Sequence, residues 1–388
     1  MIPFLIGIPA VLAVVFQIVR NEKIRGYIVY AGAGAIMAMT VVFIADWIGG
    51  GAKTWMFYPR TETIDHLMTA GDIFLMCLIV WLSVRYKRVL PMILSILQTV
   101  LVLYVEFTAE VTEGPHMMVD WLTILMCIII AFIGGFICIY TVGYMKGYHQ
   151  HHKDVKDRQP FFFSMLFLFL AAMFGLVLSQ NLIWIYFFWE ITSVISFLMI
   201  GYTRTEEAVG NSFCALWMNL LGGLGFAIAI VLMALGQESL QLTEVVSTGA
   251  LLPLMCLSLA GLTKSAQLPF STWLLGAMVA PTPSSALLHS ATMVKAGVYL
   301  LIRISPALSG NLVGLIVSSI GGLTFIMASM MAIAQNDAKK VLAFSTISNL
   351  GLIVACSGIG VEETVWAAIF LMMFHAVSKF MLFQSVGA

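Results

Sequence analysis

Apolar runs of about bilayer length follow one another along this chain, separated by little more than short polar turns. Thirteen are predicted: near 2–19, 27–48, 70–84, 89–107, 120–145, 160–180, 182–203, 210–235, 250–267 with a broken continuation to 280, 284–303, 309–334, 341–359 and 364–386. Apolar residues make up 61% of the sequence and charged residues only 10%, against about 25% charged in soluble domains. No water-soluble core of this length could hide so much apolar surface. The expected fold class is therefore all-α, a polytopic membrane bundle of thirteen helices. The first run lacks the basic start and small-residue cleavage site of a signal peptide, and reads as the first helix.

The loops test this reading independently. With the N-terminus outward and the runs alternating, the inner loops hold Arg20, Lys23, Arg25, Arg85, Lys87, Arg88, Lys146, Lys153, Lys156, Arg158, Arg204, Lys339 and Lys340. The outer loops hold only Lys53, Arg60 and Arg303. That asymmetry follows the positive-inside rule. It predicts a multi-pass protein of the cell inner (cytoplasmic) membrane with its N-terminus outside. The partners implied are the lipid bilayer and other membrane subunits, with no nucleic acid.

Four charged residues break the pattern by lying inside the runs: Glu190, Lys264, Lys295 and Lys379. A charge at the bilayer centre costs about 3 kcal/mol on insertion scales, so such residues mark ion paths more often than they serve packing. Lysine, when desolvated, can lose and regain a proton near neutrality. Glu190 is about nine residues into its run, about 13 Å deep at the helical rise. Pro269 follows Lys264 by five residues and removes a backbone donor, so a helix break is expected there. Broken helices inside membranes occur where the backbone lines a cavity or is buried in protein.

His289 and Lys295 are six apart, about 240° around a helix, and do not share a face. His375 and Lys379 are four apart and do. Three charged lysines against one glutamate would leave an excess of buried positive charge, so at least one lysine is expected to be neutral at rest. The six cysteines, Cys77, Cys127, Cys138, Cys214, Cys256 and Cys356, form no paired motif and read as packing residues. The stretch from Tyr148 to Arg158 carries three histidines but reads as a solvated, basic inner loop rather than a metal site.

Three stretches resemble a known family. Lys264-Ser-Ala-Gln-Leu-Pro-Phe-Ser-Thr-Trp-Leu leads into Ala280-Pro-Thr-Pro-Ser-Ser-Ala-Leu-Leu-His-Ser-Ala-Thr-Met-Val-Lys-Ala-Gly; the others are Asp337-Ala-Lys-Lys-Val-Leu-Ala-Phe-Ser-Thr-Ile-Ser-Asn and Phe188-Trp-Glu. They are similar to the antiporter-like subunits of respiratory complex I, multi-subunit Na⁺/H⁺ antiporters and energy-converting membrane hydrogenases, over roughly Asp120 to Ala388. Phe374-His-Ala-Val-Ser-Lys and the stretch from Tyr140 to His149 most resemble the hydrogenase (Ech-type) branch. The resemblance implies inverted five-helix repeats, each with a broken helix and a central lysine. It divides the chain into N-terminal helices 1–118, a helix and basic loop 119–159, a first repeat 160–303 and a second repeat 304–388 cut short after three helices. By resemblance Glu190 and Lys264 are the charged pair, Lys295 with His289 the connection, and His375 with Lys379 the start of a second path.

The expected function is a proton- or sodium-translocating subunit of a redox-driven complex, an energy-converting [NiFe] hydrogenase. The [NiFe] centre and iron–sulfur clusters would lie in partner subunits and a cytoplasmic redox arm, with no cofactor or metal in this chain. The alternatives are a multi-subunit Na⁺/H⁺ antiporter without redox partners, or a complex I-type quinone oxidoreductase. A passive membrane anchor would have no use for the buried charges. The spans between 70 and 107 fall outside the motif-bearing region.

Overall fold

A computed structural model describes residues 1–58, 62–109, 114–151, 155–236 and 239–387. Its helices in chain order are α1 (Ile2–Ile18), α2 (Glu22–Gly49), α3 (Glu62–Arg85), α4 (Val89–Thr108), α5 (Trp121–Ile128), α6 (Gly135–His151), α7 (Gln159–Leu178), α8 (Leu182–Ile200) and α9 (Glu206–Leu235). They continue with α10 (Leu242–Thr248), α11 (Leu251–Lys264), α12 (Thr272–Gly276), α13 (Thr282–Ala286), α14 (Met293–Leu308), α15 (Leu312–Ile333), α16 (Ala338–Ile359) and α17 (Glu362–Gly387). A π-helical turn, Ile129–Gly134, fuses α5 to α6, and another, Leu287–Ala291, follows α13. Among the described residues eleven helical spans are long and apolar enough to cross a membrane, and α1 and α11 are shorter. The chain is thus a polytopic membrane bundle, with a helix at each expected run.

Polar residues at the run boundaries set the helix starts. Asn21, Asp120, Asn181, Thr205, Asn311 and Asp337 each accept a backbone N–H of the first turn that follows. Such caps satisfy donors that have no partner within the helix. Gly360, at φ 70°, ends α16 in the left-handed conformation that favours glycine.

At one end of the bundle β1 (Trp55–Phe57) pairs antiparallel with β2 (Met117–Val119), Trp55 opposite Val119. Isolated bridges join Met117 to Ser179 and Asn181 to Gln241, knitting the turns at this sheet face together.

The core runs through α7 and the segment from α13 to α14, whose residues are nearly all buried. α2, α3, α15 and α17 are peripheral, with most of their apolar side chains on the outer surface of the bundle. α15 and α16 pack along a seam of Gly314, Gly321, Gly351 and Gly358, where any Cβ would press on the facing backbone; small residues permit such close approach between membrane helices.

Several expectations are corrected. α3 begins at Glu62, well before the run at 70–84, because polar Asp65, His66 and Thr69 extend it outward. The run at 284–303 is not one α-helix, since a π turn and a non-helical Thr292 (φ −128°, ψ −99°) interrupt it. Arg303, counted with the outer loops, lies inside α14 with its side chain only 10% exposed. The loop read from Tyr148 begins as the last turn of α6. His152, Lys153 and Asp154 of that loop, and Arg60, lie outside the described residues.

Candidate functional site

Glu190 sits eight residues into α8, about 12 Å along the axis from Leu182, and is 3% exposed. Its Oε2 accepts a hydrogen bond from Nε2 of Gln98 on α4, at 2.8 Å. Oε1 of Glu190 and Oε1 of Gln98 have no protein partner. Both oxygens crowd the place above Gly223 of α9 where a Cβ would stand.

Lys264 is the last residue of α11 and fully buried. Its Nζ donates to the carbonyl of Trp189 at 2.7 Å and to Oγ of Ser193 at 3.1 Å, and lies 4.1 Å from the Trp189 ring centroid. Lys264 therefore grips the turn of α8 that carries Glu190. The two form no ion pair within 4.0 Å: Trp189 and Ser193 face α11, while Glu190 faces α4 and α9.

The predicted break follows Lys264 directly. Pro269, joined to Leu268 by a cis bond, lies in the non-helical link to α12. The Trp273 indole donates to the carbonyl of Thr263 at 3.0 Å, and Thr324 on α15 accepts the N–H of Leu268 at 3.1 Å. Backbone groups freed by the break thus find partners, as a buried break requires.

Lys295, in the first turn of α14, is fully buried. Its Nζ stands 2.7 Å from Nδ1 of His375 on α17 and donates to the carbonyl of Met372 at 3.1 Å. Lys379, one turn along α17 from His375, turns to α16, donating to Oγ of Ser345 at 2.7 Å and the carbonyl of Leu342 at 3.3 Å. His375 and Lys379 do share a buried face, as their spacing implies.

His289 lies in the second π turn, fully buried, with neither ring nitrogen bonded to protein and its ring 4.8 Å from that of Phe383. Oγ of Ser284 and of Ser285, earlier in the same segment, are also buried without protein partners. No hydrogen bond joins His289 to Lys295 among the described residues.

Glu190, Lys264, Lys295, His375 and Lys379 thus occupy α8, α11, α14 and α17: Lys264 bonds the turn of α8 that carries Glu190, Lys295 meets His375 directly, and Lys379 lies one turn along α17, while no side-chain contact joins Lys264 to Lys295. There the backbones meet: a Cβ on Gly297 would lie 2.7 Å from the carbonyl oxygen of Gly261. Gln98 and Gly223 are the neighbours of Glu190 that the sequence did not single out. A neutral amide and a glycine inside apolar runs give no signal of their own.

A separate ion pair closes the sheet face. Arg303 donates to both carboxylate oxygens of Asp120, with Nη2 2.7 Å from Oδ1, and to Oγ1 of Thr123. Burial works against the Asp120 charge, but the guanidinium overrides it and holds the carboxyl below its ordinary range.

Comparison with known proteins places these elements in context. Residues 179–388 match the family described as NADH:quinone oxidoreductase/Mrp antiporter, transmembrane, and residues 114–154 match the N-terminal family of NADH-ubiquinone oxidoreductase (complex I) chain 5. Na⁺/H⁺ antiporter subunit A1 of Staphylococcus haemolyticus is 38% identical over 293 residues, 69% of this chain and 35% of that protein. A putative antiporter subunit, mnhA2, of Staphylococcus aureus is 37% identical over 292 residues, 69% of this chain and 36% of its own length. This chain therefore spans about a third of the curated relatives it matches. The Mrp complex from Dietzia sp. superposes with a TM-score of 0.63 at 29% identity, covering 82% of this chain and 36% of that one. A membrane-bound sulfane sulfur reductase, an archaeal respiratory membrane complex, shares the fold at a TM-score of 0.74 and 17% identity over 99% of this chain and 56% of that one.

Proposed function

From the premise that this chain belongs to the NADH:quinone oxidoreductase/Mrp antiporter family, we propose that it moves protons through the middle of the membrane as part of a multi-subunit Na⁺/H⁺ antiporter. The observation that carries this reading is the contact of Lys295 with His375, 2.7 Å apart and buried. Two cations so close in a low-dielectric interior repel strongly, so the pair holds one positive charge comfortably and not two. A proton arriving at one displaces the charge at the other. With Lys264 gripping α8 beside Glu190, and Lys379 on the far turn of α17, charge on one station acts on the next.

The names of the relatives favour the antiporter branch over the hydrogenase branch. The redox-driven reading rests on the Phe374–Lys379 and Tyr140–His149 stretches. It would add a cytoplasmic redox arm with a [NiFe] centre and iron–sulfur clusters in partner subunits. A complex that purifies without redox-active partners, yet exchanges Na⁺ for H⁺, decides for the antiporter. The division into a first repeat at 160–303 and a second from 304, the inner-membrane location and the outward N-terminus belong to the same proposal. In that orientation the sheet face is the outer face.

The test is transport in membrane vesicles carrying the whole complex, read with a pH-sensitive dye after a Na⁺ pulse. Lys264→Ala and Glu190→Gln are each expected to lower the rate at least about ten-fold, the effect of about 1.4 kcal/mol on a barrier. Normal transport by a correctly assembled Lys264→Ala complex would overturn the proposal.

A further inference from the structure

We propose that Asp72 is a proton station joining the sheet-face cavity to Glu190, so that α3 and α4 supply a half-channel of their own. The inference rests on the reading of Glu190 as part of a proton path.

The route begins in a cavity of about 450 Å³ at the sheet face, lined by Asp65, His66, Thr69, Glu106, Asn181 and Trp184 among others. Two hydrogen bonds align the three helices there. The Trp184 indole donates to Oδ1 of Asp65 at 2.7 Å, and Oγ1 of Thr69 donates to Oε2 of Glu106 at 3.0 Å. Asp72 lies three residues beyond Thr69 on α3, hence on the same face and deeper in the bundle. A further polar link stands at depth, where Gln98 donates to Glu190. Gln98 is eight residues before Glu106 on α4, about 12 Å further from the sheet face. Asp72 thus falls between the two polar levels.

Its surroundings suit a group that changes protonation. Asp72 is 5% exposed and its Oδ2 has no protein partner. Neither ion pair among the described residues includes it. The acids of the polar levels on either side of it are Glu106 on α4 and Glu190 on α8. A carboxylate kept for structure ends in an ion pair or a set of N–H donors, because burial without them is expensive. Asp72 instead stands between the levels of Glu106 and Glu190, with a carboxylate oxygen left without a protein partner. α3 is held close to α8 at this level: a Cβ on Gly71 would lie 2.6 Å from Cε2 of Phe187. In the transfer, a proton from the cavity adds to the Asp72 carboxylate. It then leaves, through water, to the Glu190 carboxylate, and Asp72 is again an anion. No electron moves.

The experiment uses vesicles with the complete complex and full-length chain, comparing Asp72→Asn and Asp72→Glu with Glu190→Gln and Lys264→Ala at equal amounts of assembled complex. Asp72→Asn is expected to slow Na⁺-driven proton movement about ten-fold, with Asp72→Glu recovering most of the rate. A second measurement needs no transport. Asp72→Cys should react with a small membrane-impermeant methanethiosulfonate added from the sheet face, and not from the other. Native rates in Asp72→Asn, or a thiol at 72 that stays unreactive from the sheet face, overturn the inference. If Glu190→Gln and Lys264→Ala are then also silent, the proton path itself has failed; if they stop transport while Asp72→Asn does not, only the half-channel has.

Discussion

The carboxylate of Glu190 owes its room to a missing side chain. A methyl group at Gly223 would collide with Oε1 of Glu190 and press on Oε1 of Gln98. Both atoms are tips of flexible side chains, so they can swing aside and the helix need not move. Alanine also favours a helix over glycine by about 1 kcal/mol. Gly223→Ala is therefore expected to leave thermal stability unchanged or slightly raised while transport falls several-fold. A melting scan and the vesicle assay on the same preparation check it, and a variant that transports normally would show that the geometry at Glu190 is not critical. At this scale the sequence was partly readable. Glu190, Lys264, Lys295 and Lys379 stood out because charge inside an apolar run is conspicuous, and all four are buried. Asp72 did not. It is the third residue of the apolar run at 70–84, which put it at a helix end, whereas α3 starts at Glu62 and carries it more than two turns inward.

The broken element between α11 and α12 shows what a sequence can and cannot specify about a helix. Pro269 announces the interruption, because proline lacks the donor and crowds the preceding turn. It does not reveal what receives the freed groups. One answer is Trp273, whose indole bonds the carbonyl of Thr263, one residue before Lys264. Trp273→Phe keeps most of the buried ring and removes that donor. The Thr263 carbonyl keeps the N–H of Ala266 at 3.1 Å, so the loss is expected to cost about 0.5–1.5 kcal/mol, the net worth of one hydrogen bond. Transport should fall with it, since the end of α11 aims Lys264 at Trp189. Thermal unfolding of the purified variant, set beside Trp273→Ala, separates the hydrogen bond from the packing. The π turn at Leu287–Ala291 was not readable. Pro281 and Pro283 mark a helix start correctly, but the wider turn is closed by the N–H of Thr292 donating to the carbonyl of Leu287, five residues back, at 3.2 Å, with Oγ1 of Thr292 donating to the same oxygen at 2.8 Å. It also changes the angular relation of His289 and Lys295, which was reckoned for an unbroken α-helix.

At the scale of the molecule, the Asp120–Arg303 pair joins the N-cap of α5 to the last turns of α14, 183 residues away in sequence. It closes the sheet face over the core helix α7, and Tyr299 on α14 adds a hydrogen bond to the carbonyl of Val177 at 2.8 Å. Hydropathy alone could not find it, since Arg303 lies near the end of a run and looked like a loop residue. Burial raises the Asp120 carboxyl and Arg303 more than offsets that, leaving it below the ordinary value of 3.8. A depressed carboxyl contributes stability that is present above its unfolded value and is lost as pH falls through the folded one. The clasp should therefore hold across the neutral range and down past pH 4, giving way only in stronger acid. Asp120→Asn removes the charge at every pH and leaves Arg303 largely buried without its counterion. Its expected cost is about 2 kcal/mol, below the 3–5 of a wholly buried pair because Asp120 is partly exposed. Melting scans at neutral pH and near pH 3 check both parts. The native protein should lose its advantage over the variant as the pH drops; asparagine can keep the helix cap to Thr123, so an equal gap at both values would mean that the charge of Asp120 is not what stabilises the clasp.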